Sequence, residues 1–284
     1  MECIDFDSPA YPASLKEIPK PPKHLWLEGS LPPPGTKLLT VVGSRALSAY
    51  GKEACESLIA GLAGYPVSIV SGLALGADGC AHRAAMRAGL HTLAVPGSGL
   101  AASALYPRAH LGLAKQILEA GGSLLSEHEP EHAPRIYDFP SRNRIMVGLA
   151  DAVLMVEAGE RSGTLITARL AGDYNRHLLC VPHRIGDSHG NGPHFFLRMG
   201  ATLVSEPTHI LEALNITPHE SGTLFDMESL TPSERIIVDF LQESCTRDEL
   251  LRSCGLPAHE ALSLLGTLEL KGILKEEFGK WKIA

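Results

Sequence analysis

Aromatic side chains make up 5% of the chain, with two tryptophans among 284 residues. No apolar run approaches the roughly 20 residues a membrane helix needs, so no membrane partner is expected. The opening Met1-Glu2-Cys3-Ile4-Asp5 lacks a basic flank followed by an apolar stretch, so no secretory signal is expected. The six cysteines are scattered and form no CxxC pair. That spacing argues against a disulfide framework or a zinc ribbon and places the chain in a reducing cytoplasm. The net charge of −7 excludes a histone-like coat held to DNA by bulk charge, although it leaves room for a local basic groove. G-x-x-x-x-G-K-[ST] is missing, which removes P-loop chemistry; G-x-S-x-G occurs at 186–190 and H-E-x-x-H at 128–132, but neither falls in an expected strand-to-helix turn or helix, so nucleophile-elbow and zincin chemistries are not expected. No enzyme activity, metal or cofactor is expected, and there is no internal repeat.

What is present is rhythm. Residues 1–36 carry Pro9, Pro12, Pro19, Pro21, Pro22, Pro32, Pro33 and Pro34 and read as an irregular leading segment packed on the main domain, with a short edge strand over 24–29. Apolar runs at 38–42, 67–70, 92–95, 123–125, 152–156, 178–181 and 202–204 alternate with helical stretches near 51–64, 77–89, 110–120, 143–150, 164–174 and 207–214. Continuous apolar strands alternating with helices specify a parallel sheet covered on both faces. Residues 37–216 are therefore expected to form a doubly wound, Rossmann-like α/β domain that binds ligands at the strands' carboxyl ends. Residues 217–230 are polar and turn-prone and read as a linker. Residues 231–284 read as three helices, at 232–241, 247–253 and 257–271, followed by a hairpin over 273–283. That is the pattern of a small winged-helix domain.

Several strand ends carry residues suited to anions. The first strand runs into Gly43-Ser44-Arg45, where a glycine permits close backbone approach and arginine offers a forked donor. Alone, it reads equally as a turn with a surface arginine. Ser71-Gly72-Leu73-Ala74 leads into a helix with Asp78 and His82 four apart, a spacing that suits an acid–base pair or, more plainly, a helix cap and a polar histidine. Pro96-Gly97-Ser98-Gly99 satisfies only a loose dinucleotide fingerprint, on the third strand instead of the first, and is left as a glycine-rich phosphate-contacting loop. Phe139, Arg142, Asn143 and Arg144 stand together just before an apolar helix, able to neutralise phosphates and stack a base. A helix cap with solvated arginines is the plainer reading. Ser162, Gly163 and Thr164 open the next helix with hydroxyls and amides.

In order, Val42-Gly43-Ser44-Arg45, Ser71-Gly72-Leu73-Ala74, Ala81-His82, Tyr106-Pro107, Phe139 to Arg144, Glu157-Ala158 and Ser162-Gly163-Thr164 resemble the DprA/Smf family over about residues 5–216. The resemblance implies an extended Rossmann fold that pairs into a homodimer. It also implies single-stranded DNA in a basic pocket, protection of incoming strands in natural transformation, and their delivery to a RecA-type recombinase, with a single-strand binding protein as a further partner. Matching positions imply Ser44, Arg45, Gly72, Phe139, Arg142, Asn143 and Arg144 as site residues; Ser162, Gly163 and Thr164 join them. The chain departs from the family pattern at Ala101-Ala102-Ser103, at His110, at His183 after Val181-Pro182, and at His194 after Gly192-Pro193.

Two rival readings share the architecture. The chain is similar at Gly163-Thr164 to lysine-decarboxylase-like phosphoribohydrolases, which cleave nucleoside monophosphates. Their motif needs a glutamate where Thr167 stands here. A nucleotide-sensing module without DNA contact is the second rival; it would bind mononucleotides tightly and ignore strand length. The winged helix is a poor duplex reader on charge: beyond residue 230, nine acidic side chains face seven basic ones. Phosphate contact dominates DNA affinity, so a protein-contact or regulatory role is expected there.

Overall fold

The computed structural model describes residues 1–160, 162–217, 230–241, 245–270, 273–277 and 279–283. The chain divides into two compact units, Met1–Ile216 and Thr217–Ala284. The expected linker lies, apart from Thr217 and Leu230, outside the described residues.

The first unit is built on one nine-stranded sheet. Its strands are β1 Glu2–Asp5, β2 His24–Gly29, β3 Lys37–Val42, β4 Val67–Ser71, β5 Thr92–Ala94, β6 Ser123–Ser126, β7 Ala152–Met155, β8 His177–Cys180 and β9 Thr202–Leu203. Their spatial order is β1-β2-β6-β5-β4-β3-β7-β8-β9. From β3 to β9 all pairings are parallel, whereas β1 and β2 join antiparallel at the β6 edge. The leading segment is thus not irregular. The strand expected over 24–29 is β2, five of the eight prolines lie between β1 and β2 and three between β2 and β3, and Tyr11 anchors the segment by donating to the Pro22 carbonyl at 2.8 Å.

Helices cover both faces because β-strand side chains alternate. Leu39 and Val41 of β3 pack with α2 (Ala49–Ala60), α3 (Ala77–Arg87) and the helix Pro207–Ala213. Val42 of β3 and Val153 of β7 pack on the other face with α5 (Asp138–Leu149) and Leu15 of the short α1 (Ala13–Lys16). The remaining helices of this unit are α4 (Leu111–Glu119), α6 (Thr164–Asp173), α7 (Asn191–Arg198) and α8, the Pro207–Ala213 helix named above. Successive strands after β3 step outward to β6, while β7 returns to the other side of β3 and steps outward to β9. The reversal between β3 and β7 is the topological switch point, where an open α/β sheet leaves a crevice at its carboxyl ends.

The second unit contains α9 (Pro232–Phe240), β10 (Cys245–Thr246), α10 (Arg247–Ser253), α11 (Ala258–Leu270), β11 (Leu274–Glu277) and β12 (Lys280–Ile283), with strand order β10-β12-β11. Two capping boxes, Thr231 with Glu234 and Thr246 with Glu249, start α9 and α10. Ile237, Leu250, Leu265 and Trp281 share its own core. Three helices and a hairpin make this a winged helix.

Candidate functional site

A cavity of about 1160 Å³ opens at the switch point. Its walls come from the turn after β3 (Gly43 to Ala46), the turn after β7 (Gly159, Glu160, Ser162, Gly163, Thr164), the first turns of α5, and Ser188, His189 and Asn191. Ser44, Arg45, Phe139, Arg142, Asn143, Ser162, Gly163 and Thr164 all line it. Residues more than a hundred positions apart are thus brought into one crevice.

Each wall has a local cause. The turn after β3 is held by Glu157, which is fully buried and accepts from the Ser48 amide at 3.0 Å and the Ser48 hydroxyl at 2.7 Å. Ser48 is in turn the N-cap of α2, accepting from the Gly51 amide. Glu157 therefore ties the end of β7 to the loop that presents Arg45, and its role is positional. The Ser188–Asn191 wall is carried by paired backbone bonds, Ala158 N to His189 O at 2.8 Å and Gly192 N to Ala158 O at 2.7 Å. In the sequence this wall carries Gly186-Asp187-Ser188-His189-Gly190, a G-x-S-x-G stretch, but Ser188 starts a short helical turn well past the end of β8 and not a sharp strand-to-helix elbow.

Arg45 is exposed, and its guanidinium lies over the Phe139 ring at 5.6 Å from the centroid. Tyr106, 45% exposed, has its ring centroid 5.5 Å from that of Phe139 and also lines the crevice. The Tyr106-Pro107 peptide is cis. A cation and two aromatic faces at one mouth can hold a phosphate and a flat base together.

Arg142 has a different place. It is 5% exposed, and its guanidinium donates to the Val95 carbonyl beyond β5. A Cβ on Gly72 would overlap the guanidinium, so the glycine after β4 leaves the space that Arg142 fills. Burial pushes Arg142 down to about 10, and the charge of Asp78 opposes that loss. Asp78 is buried too, which raises its carboxyl, while Arg142 and the Ala74 amide at 3.2 Å pull it back. Arg142 and Gly72 thus form the floor beneath the crevice. Neither has the exposure of an open phosphate ligand.

Arg144 is not in the crevice. The sequence reading set Phe139 to Arg144 before a helix; they occupy its first two turns. Residues two apart on a helix point about 200° apart, so Arg142 and Arg144 diverge. Arg144 instead pairs with Glu127, both largely buried. Phe139, Arg142, Asn143 and Met146 follow the i, i+3, i+4, i+7 spacing of one face and line the cavity together.

The α6 start also differs from an open cradle. The Thr164 hydroxyl donates to the Gly43 carbonyl at 3.0 Å and accepts from Ser162 Oγ at 3.0 Å. Thr164 therefore clamps the turns after β3 and β7, and the positive end of the α6 dipole faces the crevice. The lining charges are mixed: Arg45 and Arg142 against Asp78 and Glu160. A uniformly basic pocket is absent among the described residues.

The remaining motifs are structural. Gly97 gives room to Phe139 and Gly99 to the Pro130 carbonyl, so the loop after β5 is sealed by protein and does not offer its amides to a phosphate. His82 is fully buried, held by Thr92 Oγ1 at 2.8 Å and pushed down to about 3 by burial. It does not pair with Asp78. The departures have local partners. His110 Nδ1 meets the Leu73 carbonyl at 2.7 Å, and His194 Nε2 lies 3.0 Å from the His183 carbonyl and 3.3 Å from its amide. His194 thus takes over hydrogen bonding in the late loop.

A switch-point crevice with arginine and aromatics on a doubly wound sheet, joined to a separate winged helix, defines a class of nucleotide- or nucleic-acid-binding proteins. The sequence matches the family described as DNA recombination-mediator protein A over residues 2–215 and the DprA winged helix domain over residues 226–279. The chain belongs to the DprA/Smf family. It is 39% identical over 277 residues to protein Smf of Escherichia coli, covering 95% of this chain and 74% of that protein. Over 213 residues it is 38% identical to DNA processing protein DprA of Bacillus subtilis, covering 74% and 70%. The structure of DprA from Streptococcus pneumoniae is similar at a TM-score of 0.71 and 36% identity, covering 77% of this chain and 75% of that one. DNA processing protein A from Helicobacter pylori, described for its single-stranded DNA binding mode, matches at 0.65 and 26%, covering 76% and 96%.

Proposed function

We propose that the crevice binds single-stranded DNA, without chemical turnover, as part of DNA processing in natural transformation. The observation that carries this is the exposed Arg45 guanidinium stacked on Phe139 at the mouth of a crevice that faces the start of α6. Arg45, Ser44, Asn143, Ser162 and Gly163 contact the strand; Phe139, with Tyr106, stacks a base. Thr164, Gly72 and Arg142 shape the site from beneath, and Arg144 stands outside it. The Helicobacter pylori relative supports the ligand class. Thr167 lines the crevice where the phosphoribohydrolase-like alternative needs a carboxylate, which disfavours hydrolysis.

The protein acts in the cytoplasm. Among the described residues no helix is long and apolar enough to cross a membrane. It works as a homodimer that hands strands to a RecA-type recombinase, with a single-strand binding protein nearby. Phe195, Met199 and Leu203 are 51%, 71% and 47% exposed along α7 and the β9 edge, which supports pairing at that side. The winged helix serves protein contact or regulation.

The test is a gel shift with single-stranded and duplex oligonucleotides, competed by a mononucleotide. Single-strand preference that grows with length and resists the mononucleotide is expected. Equal competition by the mononucleotide would favour the nucleotide-sensing module instead. A chain ending at Ile216 is expected to keep the binding, because every candidate contact lies in the first unit. Loss of binding by a fragment that stays folded by circular dichroism would reject that division of labour. Phe139→Ala is expected to cost about 1–3 kcal/mol of binding with an unchanged salt slope, read from oligothymidylate titrations at several salt concentrations.

A further inference from the structure

We propose that the loop between β6 and α5 holds a divalent transition-metal ion of the zinc class, ligated by His128, His132 and the Asp138 carboxylate. One ligand atom from each of the three lies within 4.8 Å of the others. The two imidazole rings stack face to face, centroids 4.1 Å apart and 13° from parallel. Asp138 is almost fully buried, and its Oδ2 lies 2.9 Å from His132 Nε2.

His128 marks the site. Its Nε2 is buried and has no hydrogen-bond partner among the described residues. A buried ring nitrogen left without a partner forfeits its hydration with nothing in return, and coordination would satisfy it.

The donor set selects the ion. Two imidazoles and a carboxylate suit zinc and its neighbours, whereas magnesium demands oxygen ligands. Zinc–nitrogen bonds are about 2.0–2.1 Å, so ligands on one ion stand closer together than the present spread, and rotation of the two rings closes it. Three protein ligands leave one position for water. His128-Glu129-Pro130-Glu131-His132 spells H-E-x-x-H, but in a proline-containing loop instead of a helix, and Asp138 lies outside that motif, so no shared helix face unites the three residues. They converge because the loop folds back, with Gly99 N donating to His132 O at 2.9 Å and Ala101 N to Pro130 O at 2.9 Å. Asp138 opens α5, so the ion would tether that helix start to the end of β6. This inference does not depend on the DNA reading.

The test uses the full chain, stripped with a chelator and titrated with Zn2+ by calorimetry and with Co2+ by visible absorption. One equivalent is expected to bind, millimolar Mg2+ is expected not to compete, and Zn2+ is expected to raise the melting temperature. His128→Gln and His132→Gln are each expected to weaken binding at least about tenfold and to abolish the thermal shift. His128→Gln is the cleaner variant, since it breaks no hydrogen bond at Nε2; circular dichroism verifies that each variant is folded. The double variant His183→Gln/His194→Gln is expected to titrate like the parent. Absence of a stoichiometric site in the parent, a thiolate-to-cobalt charge-transfer band, or undiminished binding in a folded His128→Gln or His132→Gln protein overturns the proposal.

Discussion

Arg45→Ala is expected to weaken single-stranded DNA binding by about 1.5–3 kcal/mol, the range for a hydrogen bond to a charged group. That is roughly a ten- to hundredfold loss. Arg45 is the exposed arginine of the crevice, and its stacking on Phe139 pre-orients the fork toward the opening. Because the lost contact is to a phosphate, the slope of log K against log salt is expected to flatten by about 0.7. Arg45→Lys should restore the slope and only part of the affinity, since an ammonium keeps the charge without the planar fork. Titration of an oligothymidylate across a salt series measures both quantities. Unchanged affinity and slope in a folded protein would remove the crevice's central contact and with it the proposed function.

Arg142→Ala is expected to act first on stability. The guanidinium is buried and donates to the Val95 carbonyl, and its charge favours the ionised Asp78 carboxyl. Leaving a buried carbonyl unsatisfied costs about 1–3 kcal/mol. In a unit of this size that corresponds to a drop of roughly 2–12 °C in melting temperature. Gly72→Ala is expected to destabilise in the same direction, since the added methyl displaces the same guanidinium. Thermal melts of the two variants check both. A variant that melts like the parent yet loses DNA binding would return Arg142 to the role of a direct ligand.

The two arginines show why legibility ended where it did. Phe139-Pro140-Ser141-Arg142-Asn143-Arg144 is conspicuous as composition, and the cluster does open onto the switch point. The sequence places it just before a helix, yet α5 already starts at Asp138, since proline is tolerated in a helix's first turn, where its missing N–H has no intrahelical partner. Once those residues are helical, Arg142 turns to the floor and Arg144 to Glu127. The leading prolines hid β1 alone: the strand expected over 24–29 is β2, and β1 pairs outside it and takes the edge.

Alternation of apolar runs with amphipathic stretches determined the doubly wound sheet, because strand and helix periods are local and each buries its own face. The capped helices and the hairpin over 273–283 determined the winged helix for the same reason. Arg45 and Phe139 were visible as candidates because each follows a strand or opens a helix. Only the tertiary structure decided that Arg45 stays open while Arg142 is buried. It also brought Ser188, His189 and Asn191 into the wall, and gathered His128, His132 and Asp138 into one cluster. Exposure and pairing depend on which distant segment packs against a side chain, and no local pattern of residues carries that information.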